Sequence, residues 1–124
     1  MGVAGPQLKG LSILVVEDDY YLADDASRAL ARAGAKVLGP CAGAEEAMAL
    51  ADRETPDCAL LDVNLGLGLD FAPARALAAR GVPIVFVTGY DTLVIPHDLA
   101  ESACLQKPTD PRRIVAAVCM SCGR

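Results

Sequence analysis

Short apolar runs alternate with longer amphipathic segments along most of this chain. The runs are three to five residues long and several are rich in β-branched side chains, which is typical of buried strands. The predicted strands are Ser12–Val16, Lys36–Leu38, Cys58–Leu61, Pro83–Val87 and Cys104–Gln106. Strands that alternate with helices imply a parallel sheet covered on both faces, and therefore an α/β fold.

Helical periodicity fills most of the stretches between these strands. The first helix is predicted over Tyr20–Ala33, with Asp19 as its N-cap and Gly34 at its end. Its predicted apolar face comprises Leu22, Ala26, Ala29, Leu30 and Ala33. The second helix has an apolar stripe of Ala44, Ala47, Met48 and Ala51, and the third is centred on Ala72–Ala79. The last helix follows Asp110-Pro111 and has an apolar stripe of Ile114, Val115, Val118 and Cys122.

Two segments interrupt this pattern. Gly39-Pro40 is predicted to end the second strand, because glycine and proline favour turns. The stretch Asp91–Ala103 follows no clear period and contains Pro96, which is unfavourable inside a helix. We therefore expect a short helix or an irregular loop in that stretch.

Composition and charge restrict the class of protein. The chain has 124 residues, of which 53% are hydrophobic, and a formal net charge of −5. This length suits one domain, and we expect residues 1–124 to form it with a core at about 11–122. The acidic balance argues against nucleic acid as the main partner. No apolar run approaches the ~20 residues of a membrane span, and no signal peptide is evident, so we expect a cytoplasmic protein, and a monomer.

Five cysteines raise the question of a metal site. Cys58 and Cys104 lie in apolar runs and are predicted to be small core residues. Cys119 and Cys122 have the CxxC spacing, but a zinc site needs a second pair of ligands and the only histidine is His97. The core face of the last helix is the preferred interpretation of this pair.

Polar side chains follow four of the predicted strands. Glu17-Asp18-Asp19 follows the first strand, Asp62 the third, Thr88 the fourth and Lys107 the fifth. In a doubly wound sheet the carboxyl ends of the strands form the ligand site. Each element alone has a simpler explanation, since acidic residues favour helix N-termini and a loop lysine is usually solvated. The four together predict a single site.

The chemistry of this set is consistent with phosphoryl transfer. Crowded carboxylates raise one another's pKa unless a cation joins them, and oxygen ligands of this kind suit Mg²⁺. A carboxylate beside Mg²⁺ can act as a nucleophile toward phosphorus, while a hydroxyl group and a lysine bind phosphoryl oxygens. Asp62 is therefore the predicted nucleophile, held at the end of a rigid strand.

The stretches ILVVEDD, LLDVNL, VFVTGY and LQKP resemble those of receiver domains of two-component response regulators. The resemblance spans nearly the whole chain. It implies the flavodoxin-like strand order 2-1-3-4-5 and phosphoryl transfer to Asp62 from a histidine kinase or a histidine phosphotransfer protein. The length of the chain leaves no room for a second domain, so we expect a single receiver domain without an output domain, which would act through protein–protein contacts or as a phosphoryl shuttle or sink.

The resemblance also implies a role for each site residue. Asp18 would bind Mg²⁺ directly and Glu17 through water, while Asp62 would be both phosphoacceptor and metal ligand. Asn64 would offer its backbone carbonyl to the metal. Thr88 and Lys107 would contact the phosphoryl group, and the peptide bond between Lys107 and Pro108 is commonly cis in such domains.

The chain departs from the family pattern at the residues that change position on activation, which are called the switch. Typical receivers have tyrosine or phenylalanine three residues before the lysine, where this chain has Cys104. An aromatic residue instead follows the threonine, at Tyr90. The stretch around it resembles the "FATGUY" group of receivers, although Val87 replaces that motif's alanine. The predicted switch is therefore Thr88, Gly89 and Tyr90.

Two other functions are compatible with parts of the pattern. A small phosphohydrolase can form an aspartyl phosphate, but such enzymes need a second acid two residues after the nucleophile, where this chain has Asn64. A receiver-like module could also bind partners without phosphorylation, against which the intact acidic, threonine and lysine set argues. We therefore expect no enzymatic activity beyond the protein's own phosphorylation and dephosphorylation at Asp62.

Overall fold

The computed structural model describes residues 7–63, 71–89 and 95–123. Within these ranges the strands form one five-stranded parallel sheet in the order β2-β1-β3-β4-β5. The strands are β1 (Ser12–Val16), β2 (Lys36–Cys41), β3 (Cys58–Asp62), β4 (Ile84–Thr88) and β5 (Ala103–Gln106). The predicted flavodoxin-like order is confirmed, and it places β3 at the centre of the sheet.

Helices cover both faces of the sheet. They are α1 (Tyr20–Arg32), α2 (Ala44–Arg53), α3 (Ala72–Ala79) and α4 (Pro111–Ser121). Alternate residues of each central strand point to opposite faces, so Leu14 and Val16 pack with α2 and α3. Ile13 and Val15 pack with α1 and α4. Burial of each such side chain contributes about 1.5–3 kcal/mol, so the central strands are firmly held.

Two predicted helix caps are confirmed. The Asp19 carboxylate accepts a hydrogen bond from the backbone N–H of Leu22 at 3.0 Å. The Asp110 carboxylate accepts one from the N–H of Arg112 at 2.8 Å, with Pro111 at the first helical position. Each cap satisfies a backbone donor that the helix leaves unpaired at its N-terminus.

The predicted end of β2 at Leu38 is wrong. The strand continues through Gly39-Pro40 to Cys41, and its register against β1 shifts between Leu38 and Cys41. Gly39 adopts φ +98°, and a Cβ there would lie 2.7 Å from the backbone nitrogen of Cys41. Glycine is therefore required for a bulge in the strand, whereas the sequence pattern suggested a break.

Two predicted core residues are also wrong. Leu22 is 37% exposed, and Ala23 takes its place in the interior of the protein, because α1 turns its small alanines toward the sheet. Cys104 is exposed, since β5 is the edge strand and its residues alternate between half-buried and exposed. Cys119 and Cys122 are half-buried against the core, as predicted for the apolar face of the last helix.

The described part of the connection between β4 and β5, Gly89 and residues 95–102, contains a short helix, which agrees with the prediction. It includes a single 3₁₀ turn, His97–Leu99, which begins directly after Pro96. The Leu99 side chain is buried in the core on the α3 side of the sheet. Asp98 pairs with Arg75 of α3 at 2.8 Å. The turn is thus anchored to α3 by one apolar contact and one ion pair.

Candidate functional site

Glu17 and Asp18 follow β1 at the carboxyl edge of the sheet. The backbone N–H of Glu17 donates to the carbonyl oxygen of Cys41 at 2.9 Å, so the bulged end of β2 holds the first acidic residue. The backbone N–H of Asp19 donates to Glu17 Oε2 at 3.1 Å. Because the Asp19 carboxylate already caps α1, the three consecutive acids divide into a capping residue and two site residues.

Asp62 is the last residue of β3 and is only 5% exposed. The Lys107 ammonium group donates to Asp62 Oδ2 at 3.0 Å and lies 2.9 Å from Glu17 Oε1. This cation therefore links carboxylates from two neighbouring strands. The peptide bond between Lys107 and Pro108 is cis.

The carboxylates of Glu17, Asp18 and Asp62 form a cluster, which we call the acidic cluster. Each contributes one oxygen, and these oxygens all lie within 4.8 Å of one another. Such a set of hard oxygen donors fits Mg²⁺, which binds one or two carboxylates and keeps several waters. Asn64, predicted to add a backbone carbonyl, lies outside the described residues.

Burial and crowding change the proton affinities at this site. Burial raises the pKa of Glu17 to about 7, and the nearby Asp62 carboxylate acts in the same direction. Burial by itself would lower the pKa of Lys107, but hydrogen bonds to Glu17 and Asp62 outweigh it and raise that pKa. The excess of carboxylates over cations at this edge favours binding of a further cation.

Thr88 completes the predicted set at the same edge. Asp62 pairs in register with Val87 of β4, so Thr88 extends one residue further along the neighbouring strand. Thr88 is 2% exposed, and its carbonyl oxygen accepts a hydrogen bond from the backbone N–H of Lys107 at 2.6 Å. Gly89 is exposed directly after it. Tyr90, the third predicted switch residue, lies outside the described residues.

A small cavity of about 70 Å³ beside Asp62 and Lys107 was not predicted from the sequence. It lies between α1 and α4, and Asp25, Thr109 and Ile114 contribute to its lining. The Thr109 hydroxyl group donates to the carbonyl oxygen of Gln106 at 2.7 Å, which secures the turn after Lys107. The Thr-Asp-Pro sequence at the start of α4 was the available signal for such a turn.

Comparison with known proteins agrees with this geometry. The sequence profile described as "Response regulator receiver domain" matches residues 13–119. The transcriptional regulatory protein PdtaR of Mycobacterium tuberculosis is 26% identical over 117 residues, which cover 90% of this chain and 57% of PdtaR. The chain thus spans a little over half the length of this curated relative.

Solved structures of receiver domains share the fold. The CheY-like receiver domain of a Methanospirillum hungatei JF-1 response regulator superimposes with a TM-score of 0.81 at 26% identity, covering 94% of each chain. The receiver domain of Erythrobacter litoralis PhyR has a TM-score of 0.80 at 19% identity, covering 91% of this chain and 90% of that one. Within the described residues, no helix has the length and apolar character needed to cross a membrane.

The sequence profile covers most of the chain, and the strand order of the sheet is the one that its motifs imply. The acidic cluster and Lys107 meet at the edge where those motifs end. The chain therefore belongs to the response regulator receiver domain family.

Proposed function

We propose that this protein is a response regulator in which Asp62 accepts a phosphoryl group from a histidine kinase or a histidine phosphotransfer protein, in a reaction that depends on Mg²⁺. The observation that carries the proposal is the position of Asp62. Its carboxylate ends the central strand, nearly buried, within hydrogen-bonding distance of Lys107 and beside two further carboxylates.

Asp62 would act as the nucleophile. One of its carboxylate oxygens would form a bond to phosphorus while the phosphorus–nitrogen bond of the donor phosphohistidine breaks, and the electron pair of that bond would stay on the imidazole nitrogen. The reaction needs a carboxylate held in one place, since a small displacement of a nucleophile slows attack strongly. The strand that ends in Asp62, β3, is buried and pairs with β1 on one side and with β4 on the other, and these pairings supply that rigidity.

Lys107 would bind the negatively charged groups of the site both before and after the transfer. Its ammonium group now contacts Glu17 and Asp62, and after transfer it would contact the oxygens of the phosphoryl group on Asp62. Charge-assisted hydrogen bonds of this kind are stronger than those between neutral groups. The buried Thr88, at the end of the adjacent strand, would contribute its hydroxyl group to the same oxygens.

Glu17, Asp18 and Asp62 would hold the magnesium ion. When bound there, Mg²⁺ would offset the negative charge of the phosphoryl oxygens as they approach the carboxylates. Asp18 is the most exposed of the three, which suits a residue that contacts an ion still carrying water. The further contact from the Asn64 carbonyl, implied by the family resemblance, stays a prediction.

The switch would run from the site through Thr88, Gly89 and Tyr90. A hydroxyl group drawn toward a new phosphoryl charge moves the residues that follow it, and Thr88 has only Gly89 between it and Tyr90. Downstream, the 3₁₀ turn is anchored by Leu99 and by the Arg75–Asp98 pair. When Asp62 is phosphorylated, we expect the largest conformational change between Thr88 and the 3₁₀ turn.

Labelling with a small phosphodonor tests the proposed acceptor. The protein would be incubated with acetyl phosphate and Mg²⁺, and intact mass spectrometry would measure the gain of one phosphoryl group. Asp62→Asn should abolish that gain. Asp57→Asn is the matched control, because Asp57 precedes the same strand at its opposite end and is exposed. Undiminished labelling of Asp62→Asn would overturn the assignment.

The same experiment separates the proposed function from the two other candidates. A phosphoacceptor gives a label that persists, a phosphohydrolase releases phosphate in many turnovers, and a module that acts without phosphorylation gives no label.

The single-domain organisation of residues 1–124, the downstream partner and the resemblance to the FATGUY group stay predictions from the sequence.

A further inference from the structure

Two cysteines lie in the same region of the core, at the end of the sheet opposite the acidic cluster. Cys58 is the first residue of β3, whereas Asp62 is its last. Cys58 is fully buried in the core beneath α1 and α4. Cys122 follows the last residue of α4 and packs against the same core. The central strand thus begins with a thiol and ends with a carboxylate.

The contact between Cys122 and the start of β3 is direct. The Cys122 thiol donates a weak hydrogen bond to the carbonyl oxygen of Asp57, with its sulfur 3.8 Å from that oxygen. Asp57 is bonded to Cys58, so Cys122 Sγ lies beside the backbone that carries the second thiol. Cys122 also packs against the buried cluster of which Cys58 is a member, and burial raises the pKa of the Cys58 thiol.

The other cysteines are placed differently. Cys41 belongs to the core on the opposite face of the sheet, and Cys104 is exposed on the edge strand. Cys119 lies one turn before Cys122 and is half-buried against the same core. Among the described residues, the side chains placed to hold a metal ion are those of the acidic cluster, and no thiol is among them.

We propose that Cys58 and Cys122 form a reversible intramolecular disulfide when the protein meets a peroxide, and that this bond ties the end of α4 to the start of β3. The structure shows all five cysteines as thiols. The site lies away from Asp62, so the proposal does not depend on the proposed phosphoryl transfer.

The oxidation proceeds in two balanced steps. The Cys122 thiolate attacks one oxygen of the peroxide, the oxygen–oxygen bond breaks, and Cys122 becomes a sulfenic acid while hydroxide leaves and is protonated. Cys58 sulfur then attacks Cys122 sulfur, the sulfur–oxygen bond breaks, and the Cys58 proton leaves with the hydroxide as water. Two thiols and one hydrogen peroxide thus yield one disulfide and two waters. A dithiol returns the two electrons by thiol–disulfide exchange.

Accessibility determines which cysteine reacts first. Cys122 is half-buried at a helix end, whereas Cys58 has no solvent exposure. A peroxide can therefore reach Cys122, and the buried Cys58 acts as the resolving thiol from within. Gly123 follows Cys122 directly, so the last turn of α4 can adjust its backbone as the two sulfurs come together.

The disulfide should stabilise the fold. It would close a loop between residues 58 and 122, which is more than half of the chain. Crosslinks over long loops restrict the unfolded state most. We expect the oxidised protein to melt roughly 5–15 °C higher than the reduced protein.

Peptide mapping tests the proposal. The full chain would be treated with hydrogen peroxide, alkylated with iodoacetamide and digested with trypsin without reduction. Cleavage after Arg53, Arg75 and Arg113 yields peptides 54–75 and 114–124. We expect these two peptides to be joined, with a mass two hydrogens below their sum, and to separate again after dithiothreitol.

Matched variants assign the bond, because Cys119 and Cys122 share one peptide. Cys119→Ser should keep both the crosslinked peptide and the rise in melting temperature. Cys122→Ser should lose both, as should Cys58→Ala, whose reduced form must first melt cooperatively. A bond between Cys119 and Cys122, a dimer through Cys104, or full alkylation of Cys122 after peroxide would overturn the proposal.

Discussion

Lys107 and Asp62 are joined by a charge-assisted hydrogen bond of 3.0 Å at the end of the central strand. The same ammonium group contacts Glu17 of the neighbouring strand end. A cation supplied by the chain thus occupies the edge of a cluster of carboxylates. A magnesium ion from solvent must therefore bind next to the positive charge of Lys107.

Lys107→Met should tighten Mg²⁺ binding while slowing phosphorylation of Asp62. Removal of a positive charge near the ion relieves repulsion, and we expect the dissociation constant to fall about threefold to tenfold at low salt. The loss of the contact to the phosphoryl group should slow labelling by at least about tenfold. Isothermal titration calorimetry and acetyl phosphate labelling measure the two effects. Lys36→Met, at a distant ion pair with Glu54, should change neither, and weaker Mg²⁺ binding by Lys107→Met would contradict this explanation.

Asp18→Asn should weaken Mg²⁺ binding by about tenfold or more, because it removes a charged ligand from the acidic cluster. Asp19→Asn is the matched control, since Asp19 caps α1 and an asparagine side chain can accept the same hydrogen bond. A Mg²⁺ titration followed by NMR chemical shifts would measure both variants. Equal losses of affinity would mean that the two acids do not have separate roles.

Gly39→Ala should lower the free energy of unfolding by about 2 kcal/mol or more. The alanine would have to adopt φ +98°, and its Cβ would clash with Cys41 and with the Val15 carbonyl. Gly81→Ala is the matched control, because Gly81 has φ +81° but open space around it. We expect the control to cost only about 1 kcal/mol in urea unfolding. Equal costs would show that the close approach at the bulge is unimportant.

Beryllofluoride, a mimic of the phosphoryl group, should change amide hydrogen exchange most between Thr88 and Leu99. Arg75→Ala should extend the changed region beyond Leu99, because it removes the ion pair that holds Asp98 on α3. Arg112→Ala is a suitable control, since Arg112 pairs locally with Asp110 at the start of α4. If α4 changes most while residues 88–99 stay unaltered, the proposed switch is wrong.

Much of this protein could be predicted from local patterns. Apolar runs and helical stripes determine which segments become strands and helices, because each must bury its apolar side. The capping residues Asp19 and Asp110 mark helix starts through bonds to neighbours in the chain. The residues at or directly after strand ends, Asp62 and Lys107 among them, could be assigned to one edge because parallel strands share a direction.

The tertiary structure decided what depends on distant contacts. The sequence pattern predicts that Gly39-Pro40 ends the strand, yet β2 continues through these two residues as a bulge, because it stays paired with β1 on both sides of them. Leu22 and Ala23 are adjacent, and only the way α1 packs on the sheet determines which is buried. The link from Lys107 to both Glu17 and Asp62, and the contact of the Cys122 thiol with the Asp57 carbonyl oxygen, join residues far apart in the chain. No local pattern encodes such contacts, because they arise only when the strands and helices have packed together.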